Sequence, residues 1–354
     1  MHMYIPTWQN VKPLGRTMPL ADSLWLAFSA TGAEFTFTGC CCEIVFAGDN
    51  HAGDPEKAND HVRVAVELDG ERVADLMIDA AEKRCTVLQA KTAQTHTVRI
   101  LKLSETAMST CGIKAILTDA EAIHPTAEKS RFIEFVGDSI TCGYGMDDEV
   151  AEHHFVTGTE DPTRAYAYRT AQALDADYSL VSISGYGIIS GYTATAEERI
   201  TAQLLPTYYE KLGFSYGAYQ GRTPAEISWD FSVRQPDLVV VNLGTNDDSY
   251  CLEHQDRQEL YCREYVNFLR VIRRCNPGAK ILCTLGIMGD RLYPYVEKAA
   301  AAYTAQTGDN NIACMPFVPQ LLEDGYTADY HPTAVTHGKA AAKITAEIRL
   351  LLGW

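Results

Sequence analysis

Phe132-Ile-Glu-Phe-Val-Gly-Asp-Ser-Ile-Thr-Cys-Gly-Tyr-Gly145 is the stretch whose reading decides the fold. Residues 132–136 form a short, mainly apolar run of the kind that makes a buried parallel strand. Gly137 interrupts the run and permits a tight turn. Asp138 and Ser139 then fall at the carboxyl end of the strand, where a helix begins. Ligands of open α/β sheets bind along that edge, so a serine there is placed to be a nucleophile. The bland alternative is that Asp138 and Ser139 only cap the helix. A lone G-D-S matches often by accident, and what separates the two readings lies further along the chain.

Downstream of this stretch, strands alternate with helices, the signature of a parallel sheet. Further strands are expected at 178–183, 238–243, 280–285 and 311–315. Asp161-Pro162 opens one helix, with proline suited to a first turn, running to about residue 174. Tyr261, Tyr265, Phe268 and Ile272 form a helical stripe. Residues 294–306 make a third helix and 333–352 a last one, with Ala341, Ile344, Ile348 and Leu351 on one face. The expected architecture is a flavodoxin-like three-layer α/β/α sandwich. Residues 203–232 are too long for an ordinary connection and carry Tyr208, Tyr209, Tyr216, Tyr219 and Trp229. They read as a substrate wall, with Trp229 as a candidate contact, or as an excursion packed on itself.

Upstream, residues 1–124 read as all-β. Runs at 25–28, 34–37, 43–46, 62–68, 73–78 and 97–103 are rich in Val, Ile, Phe and Leu, and several alternate with polar residues. Asp69-Gly70 is a type I′ hairpin signal. A jelly-roll β-sandwich is expected, which binds carbohydrate or merely braces its neighbour. Residues 119–131, with Pro125 and several charges, read as the linker, and the second domain is expected to span 125–354.

Composition bounds the function. The 354 residues are 46% hydrophobic and 21% charged, with a formal charge of −16. That balance argues against nucleic acid or an anionic membrane as partner, since both select clustered Lys and Arg. The eleven cysteines are odd in number, three of them are adjacent at 40–42, and none has zinc spacing. They read as free thiols of a reducing compartment. Residues 1–8 show no basic patch followed by an apolar core, so the expected location is cytoplasmic. His51, His61, His153 and His154 lack carboxylate or cysteine partners at metal spacing, so no metal site is expected.

The strand ends carry the chemistry. They are Gly137-Asp-Ser139, Ser184-Gly-Tyr-Gly187, Gly244-Thr-Asn-Asp247 and Gly286-Ile-Met-Gly289, and Asp329-Tyr-His-Pro332 precedes the last helix. All fall on one edge of the expected sheet. Ser139 can attack a carbonyl if a base takes its proton, and His331 is the candidate base. The backbone N–H groups of Ser139 and Gly185 and the amide of Asn246 are the candidate donors to an oxyanion. Taken singly, His331 reads as a loop histidine, Gly185 as a turn and Asn246 as a helix cap. Four such parts at successive positions of one edge are hard to obtain by chance. His337 competes for the role of base, but its spacing to Ala341 and Ile344 puts it on an apolar helical stripe.

In that order, Gly137-Asp-Ser-Ile140, Gly185, Gly244-Thr-Asn-Asp247 and His331-Pro332 resemble the signature blocks of the SGNH (GDSL-like) hydrolases. With Trp229-Asp-Phe231, 236–247 and Asp329-Tyr-His-Pro332, the chain is similar more narrowly to carbohydrate esterase family 2, whose members place a jelly roll before the SGNH domain. The resemblance implies removal of O-acetyl groups from acetylated plant poly- or oligosaccharides without a metal or cofactor. Asp138, Tyr330 and Trp229 are the expected substrate contacts, Tyr330 as an aromatic wall for a sugar ring. One departure stands out. The wider pattern puts the triad aspartate three residues before the histidine, where this chain has Ala328, and Asp329 lies only two before His331. Asp329 is the expected orienting group, a backbone carbonyl the alternative. A lipase- or thioesterase-like hydrolase of other acyl esters, and a non-catalytic carbohydrate-binding protein, are the competing functions.

Overall fold

The computed structural model describes residues 1–354. The chain forms two compact units. One comprises Met1–Lys129, Val156–Glu160 and Lys211–Trp229, the other Ser130–Phe155, Asp161–Glu210 and Asp230–Trp354.

The second unit is built on a five-stranded parallel sheet. In chain order its strands are Phe132–Gly137, Asp177–Ser182, Leu238–Asn242, Lys280–Leu285 and Ile312–Pro316. In space the second lies outside the first, followed by the third, fourth and fifth. Every residue of Asp177–Ser182 and Leu238–Asn242 is buried, and residues 238–241 accordingly read as an unbroken apolar run, whereas Asp177–Ser182 carries Asp177, Ser179 and Ser182 inside as well. The strand order reverses between the first and third strands, and a crevice opens beyond their carboxyl ends at such a point. The helices are α1 (Ser139–Cys142), α2 (Tyr166–Ala173), α3 (Thr245–Cys251), α4 (Gln255–Cys275), α5 (Tyr293–Thr307) and α6 (Ala334–Leu352). α2 packs against α6, and α4 against α5. The apolar stripe Tyr261, Tyr265, Phe268 and Ile272 is the buried face of α4.

One helix differs from expectation. Pro162–Arg164 is a single 3-10 turn capped by Asp161, and Ala165 is extended before α2 begins. The break is stabilised from a distance, because the Tyr166 N–H, an orphan of the first turn, donates to His337 Nδ1 at 3.1 Å. His337 is therefore a buried neutral acceptor, its pKa pushed down to about 3 by burial and by nearby positive charge.

The first unit is a ten-stranded antiparallel β-sandwich. Its two longest strands, Gly32–Gly48 and Glu82–Lys102, pair along their length. The runs at 34–37 and 43–46 are thus one strand, interrupted by register shifts between Gly39 and Glu43. Such irregularities leave backbone groups unpaired. Here the Asp119 carboxylate accepts the N–H groups of Cys40 (3.0 Å) and Cys41 (3.1 Å). Asp69 (φ 55°) and Gly70 (φ 90°) make the left-handed pair of a type I′ turn.

Two assignments need correcting. Ile123–Pro125 pairs with Gly32–Gly48, so a boundary at 124/125 would cut a strand, and the first unit runs on to Lys129. Residues 211–229 line no part of the cavity described below; they close on themselves through the Leu212 N–H to Ile227 O bond (2.9 Å) and pack on the rest of the first unit. Tyr219 lies 5.7 Å from Trp25 within an apolar cluster and donates to Ser23 Oγ at 2.9 Å. Trp229 packs beneath the Arg16 guanidinium, 5.5 Å away. The aromatic area of these residues goes into a cluster around Trp25 that is separate from the main sandwich core.

Candidate active site

Gly137 ends the first parallel strand because nothing larger fits. A Cβ there would come within 2.0 Å of Thr141 Oγ1. Asp138 follows as the N-cap of α1, accepting the Ile140 N–H at 3.1 Å. It is fully buried and does not line the cavity described below, so it is a cap and not the expected substrate contact. Burial and the neighbouring Asp247 charge raise its pKa to about 7. Ser139 opens α1, and its hydroxyl donates to His331 Nε2 at 2.9 Å.

The imidazole is held from three sides. Its Nδ1–H donates to the carbonyls of Asp329 (3.1 Å) and Ala328 (3.2 Å). These bonds fix the tautomer in which Nε2 is free to accept a proton. Tyr144 stacks on the ring with centroids 4.0 Å apart, and Phe155 stacks on the other face of Tyr144 at 4.0 Å. Burial pushes the His331 pKa down to about 4, the two carbonyls and the Asp329 charge pulling the other way. The base is neutral throughout the ordinary pH range.

The expected Asp329 carboxylate is not the orienting group. Its oxygens accept from Tyr144 Oη (2.8 Å), His154 Nδ1 (3.0 Å) and the Phe155 N–H (3.0 Å). The reason is conformational. Asp329 (φ 50°) and Tyr330 (φ 60°) are both left-handed, which curls the main chain so that carbonyls face the imidazole while the carboxylate points elsewhere. The arrangement is a Ser–His dyad with a main-chain acceptor. His154 and His153, unpartnered in sequence, pair with Asp329 and Asp148 across loops. No group of three or more His, Cys, Asp or Glu is placed to hold a metal ion.

The donor positions converge as expected. Gly185 (φ 80°) lies in the loop after the second strand and lines the cavity, and a Cβ there would meet nothing within 4 Å. Neither the Ser139 nor the Gly185 N–H makes a hydrogen bond inside the protein. Asn246 Nδ2 donates to Tyr186 O at 3.0 Å and has only a long contact, 3.5 Å, to Asp138. Ser139, Gly185, Asn246, Asp329, Tyr330 and His331 all line one cavity of about 610 Å³. Trp229, packed in the first unit, does not line it.

A hydroxyl bonded to a neutral imidazole, beside uncommitted N–H donors, is the constellation of acyl transfer. The GDSL-like Lipase/Acylhydrolase family model matches residues 135–339, and the Carbohydrate esterase 2 N-terminal model matches residues 14–126. The chain is a GDSL-like lipase/acylhydrolase family member. Among curated relatives it is similar to the cellulase/esterase CelE of Acetivibrio thermocellus, 32% identical over 63% of this chain but only 26% of that protein's length. An acetylxylan esterase / glucomannan deacetylase of Cellvibrio japonicus is 26% identical over 90% of this chain and 85% of its own length. In fold the chain matches the acetyl xylan esterase Est2A of Butyrivibrio proteoclasticus with a TM-score of 0.89 and 24% identity, over 100% of both chains.

In this GDSL-like hydrolase, several site residues escaped sequence reasoning. Tyr144 stands five residues after Ser139 in the opening stretch, yet nothing in its spacing announces a stack on His331. Asp247 follows Asn246 and accepts the N–H groups of Ile188 (2.9 Å), Ile189 (2.6 Å) and Ser190 (3.0 Å). It pins the loop that carries Gly185. Tyr192, Asp248 and Met288 also line the cavity.

Proposed function

We propose that this chain is a serine esterase that removes O-acetyl groups from acetylated plant poly- or oligosaccharides of the xylan or mannan type. The 2.9 Å bond between Ser139 and His331, opening into a cavity with uncommitted N–H donors, carries the reading. The names of its relatives support the substrate class. Ser139 Oγ attacks the acetyl carbonyl as its proton passes to His331 Nε2. The Ser139 and Gly185 N–H groups and the Asn246 amide receive the oxyanion, each donor worth roughly 3–4 kcal/mol of barrier. His331 returns the proton to the departing sugar alkoxide. Water then attacks the acetyl-serine through the same base and releases acetate. Tyr330, 54% exposed at the cavity mouth, offers an aromatic face to a sugar ring. Eleven free thiols are compatible with work in a reducing, cytoplasmic compartment, which cell fractionation tests.

Ser139→Ala should abolish p-nitrophenyl acetate hydrolysis and acetate release from acetylated manno- and xylo-oligosaccharides, followed by NMR, while the circular dichroism stays unchanged. Retained turnover by the variant removes Ser139 from the mechanism. Faster cleavage of long-chain than of acetyl esters points to a lipase-like enzyme instead.

A further inference from the structure

Of the two carboxylates in the cavity wall, Asp329 is committed to Tyr144, His154 and Phe155, and Asp248 has no part in the acyl-transfer steps. Asn246, Asp248 and Ser249 all line the cavity from the first turns of α3. The Ser249 hydroxyl is occupied, donating to Asn246 O and accepting the Thr193 N–H. Asp248 is different. Its side chain is 25% exposed, and its one side-chain partner is Arg291, whose Nη1 lies 3.5 Å from Oδ1. Arg291 is closer to Glu253, at 3.1 Å. Asp248 Oδ2 makes no hydrogen bond inside the protein. Burial lifts the Asp248 pKa above the usual carboxylate range, with Arg291 opposing the shift and Glu253 and Asp290 adding to it. The cavity wall therefore carries a partly buried carboxylate with one oxygen free, its single side-chain contact, to Arg291, being long and shared with Glu253.

A group so placed seeks hydroxyl donors and repels other anions. On an acetylated glycan the donors at hand are the free hydroxyls of the ester-bearing sugar and its neighbours. We infer that Asp248 is a specificity-determining residue that accepts hydrogen bonds from these hydroxyls, so that the site takes neutral glycans and turns away glycans with a carboxylate near the ester. The inference rests on the deacetylase reading above and names the substrate class of that same site. It acts on the alcohol side of the ester, whereas Ser139, His331 and the oxyanion donors act on the acyl side.

The test compares kcat/KM for three substrates: a neutral acetylated xylo-oligosaccharide, the same glycan bearing glucuronic acid beside the acetylated residue, and p-nitrophenyl acetate. Wild-type enzyme should prefer the neutral glycan. Asp248→Asn should lower kcat/KM on the neutral glycan by about tenfold, the size of one hydrogen bond to a charged group, chiefly through KM. The p-nitrophenyl acetate rate should fall by a smaller factor, and the preference for neutral over acidic glycan should narrow. Asp248→Ser, which removes the charge without demanding an isosteric fit, should move both ratios the same way. Equal factors on all three substrates in both variants, or an unchanged neutral-to-acidic ratio, overturn the assignment. If wild-type enzyme cleaves p-nitrophenyl acetate but frees acetate from neither glycan, the deacetylase reading fails and this inference with it.

Discussion

At the scale of single residues, the informative one is Asp329. In a triad its carboxylate would hold the histidine tautomer, and replacement by Asn would cost about 10⁴ in kcat. Here main-chain carbonyls hold His331 Nδ1–H, and the carboxylate instead ties Tyr144, His154 and Phe155 together. Asp329→Asn should thus lower kcat by only about tenfold, through a loosened Tyr144 stack of roughly one hydrogen bond's worth. The pH profile supplies a second readout. His331 is neutral above about pH 4, so the acidic limb of kcat/KM should lie near that value and not near 6.5. The Asp329 charge raises the His331 pKa, so the Asn variant should shift the limb to still lower pH. A loss near 10⁴-fold would show that the carboxylate and not the carbonyls orients the base, and a limb moving upward would contradict the Asp329 contribution to the His331 pKa.

At the scale of elements, the loop after the second parallel strand is held by one buried side chain. Asp247 accepts three successive N–H groups, at Ile188, Ile189 and Ser190, just beyond Gly185. Asp247→Ala would strand these donors, at a cost of about 1–3 kcal/mol for each that stays unsatisfied. It should also release the Gly185 N–H from its place over the cavity. The expected result is a lower urea midpoint together with a kcat loss of about 10²-fold, comparable to losing an oxyanion donor. A variant that is destabilised but keeps full kcat would separate the loop's stability from its role in positioning. The elements themselves were legible. The strand at Lys280–Leu285 begins and ends where its apolar run does, and the other parallel strands deviate by one residue. The 3-10 turn before α2 was not legible, because its cause, the His337 acceptor, sits 171 residues away.

At the scale of the whole molecule, acid should act through buried histidines. His331 and His337 have folded pKa values pushed down to about 4 and about 3. Between these values and about 6.5 the unfolded chain binds more protons, so this contribution to stability is present above pH 6.5 and is lost as pH falls. The buried carboxyls of Asp138 and Asp247, raised to about 7 and about 6, have the opposite sign and gain as pH falls. A difference experiment isolates the histidine. His337→Gln keeps an acceptor for the Tyr166 N–H but does not titrate. The stability advantage of wild type over this variant, from urea unfolding, should shrink by a few kcal/mol between pH 7 and pH 4. A constant difference would mean that His337 is not held neutral by the fold.

The one-dimensional pattern determined the class of the protein. Apolar runs of strand length, helical stripes and glycines at strand ends are local, and they sufficed for an α/β unit behind a β-sandwich. The order of small and polar residues at successive strand ends also sufficed to bring Ser139, Gly185, Asn246 and His331 to one edge, because parallel strands share their carboxyl ends. Only the tertiary structure decided which oxygen faces His331, what Trp229 packs against and where residues 211–229 belong. These outcomes depend on the direction in which a side chain or a carbonyl points. A left-handed turn at Asp329 and Tyr330 reverses that direction, and neighbours distant in sequence set it; spacing along the chain records neither.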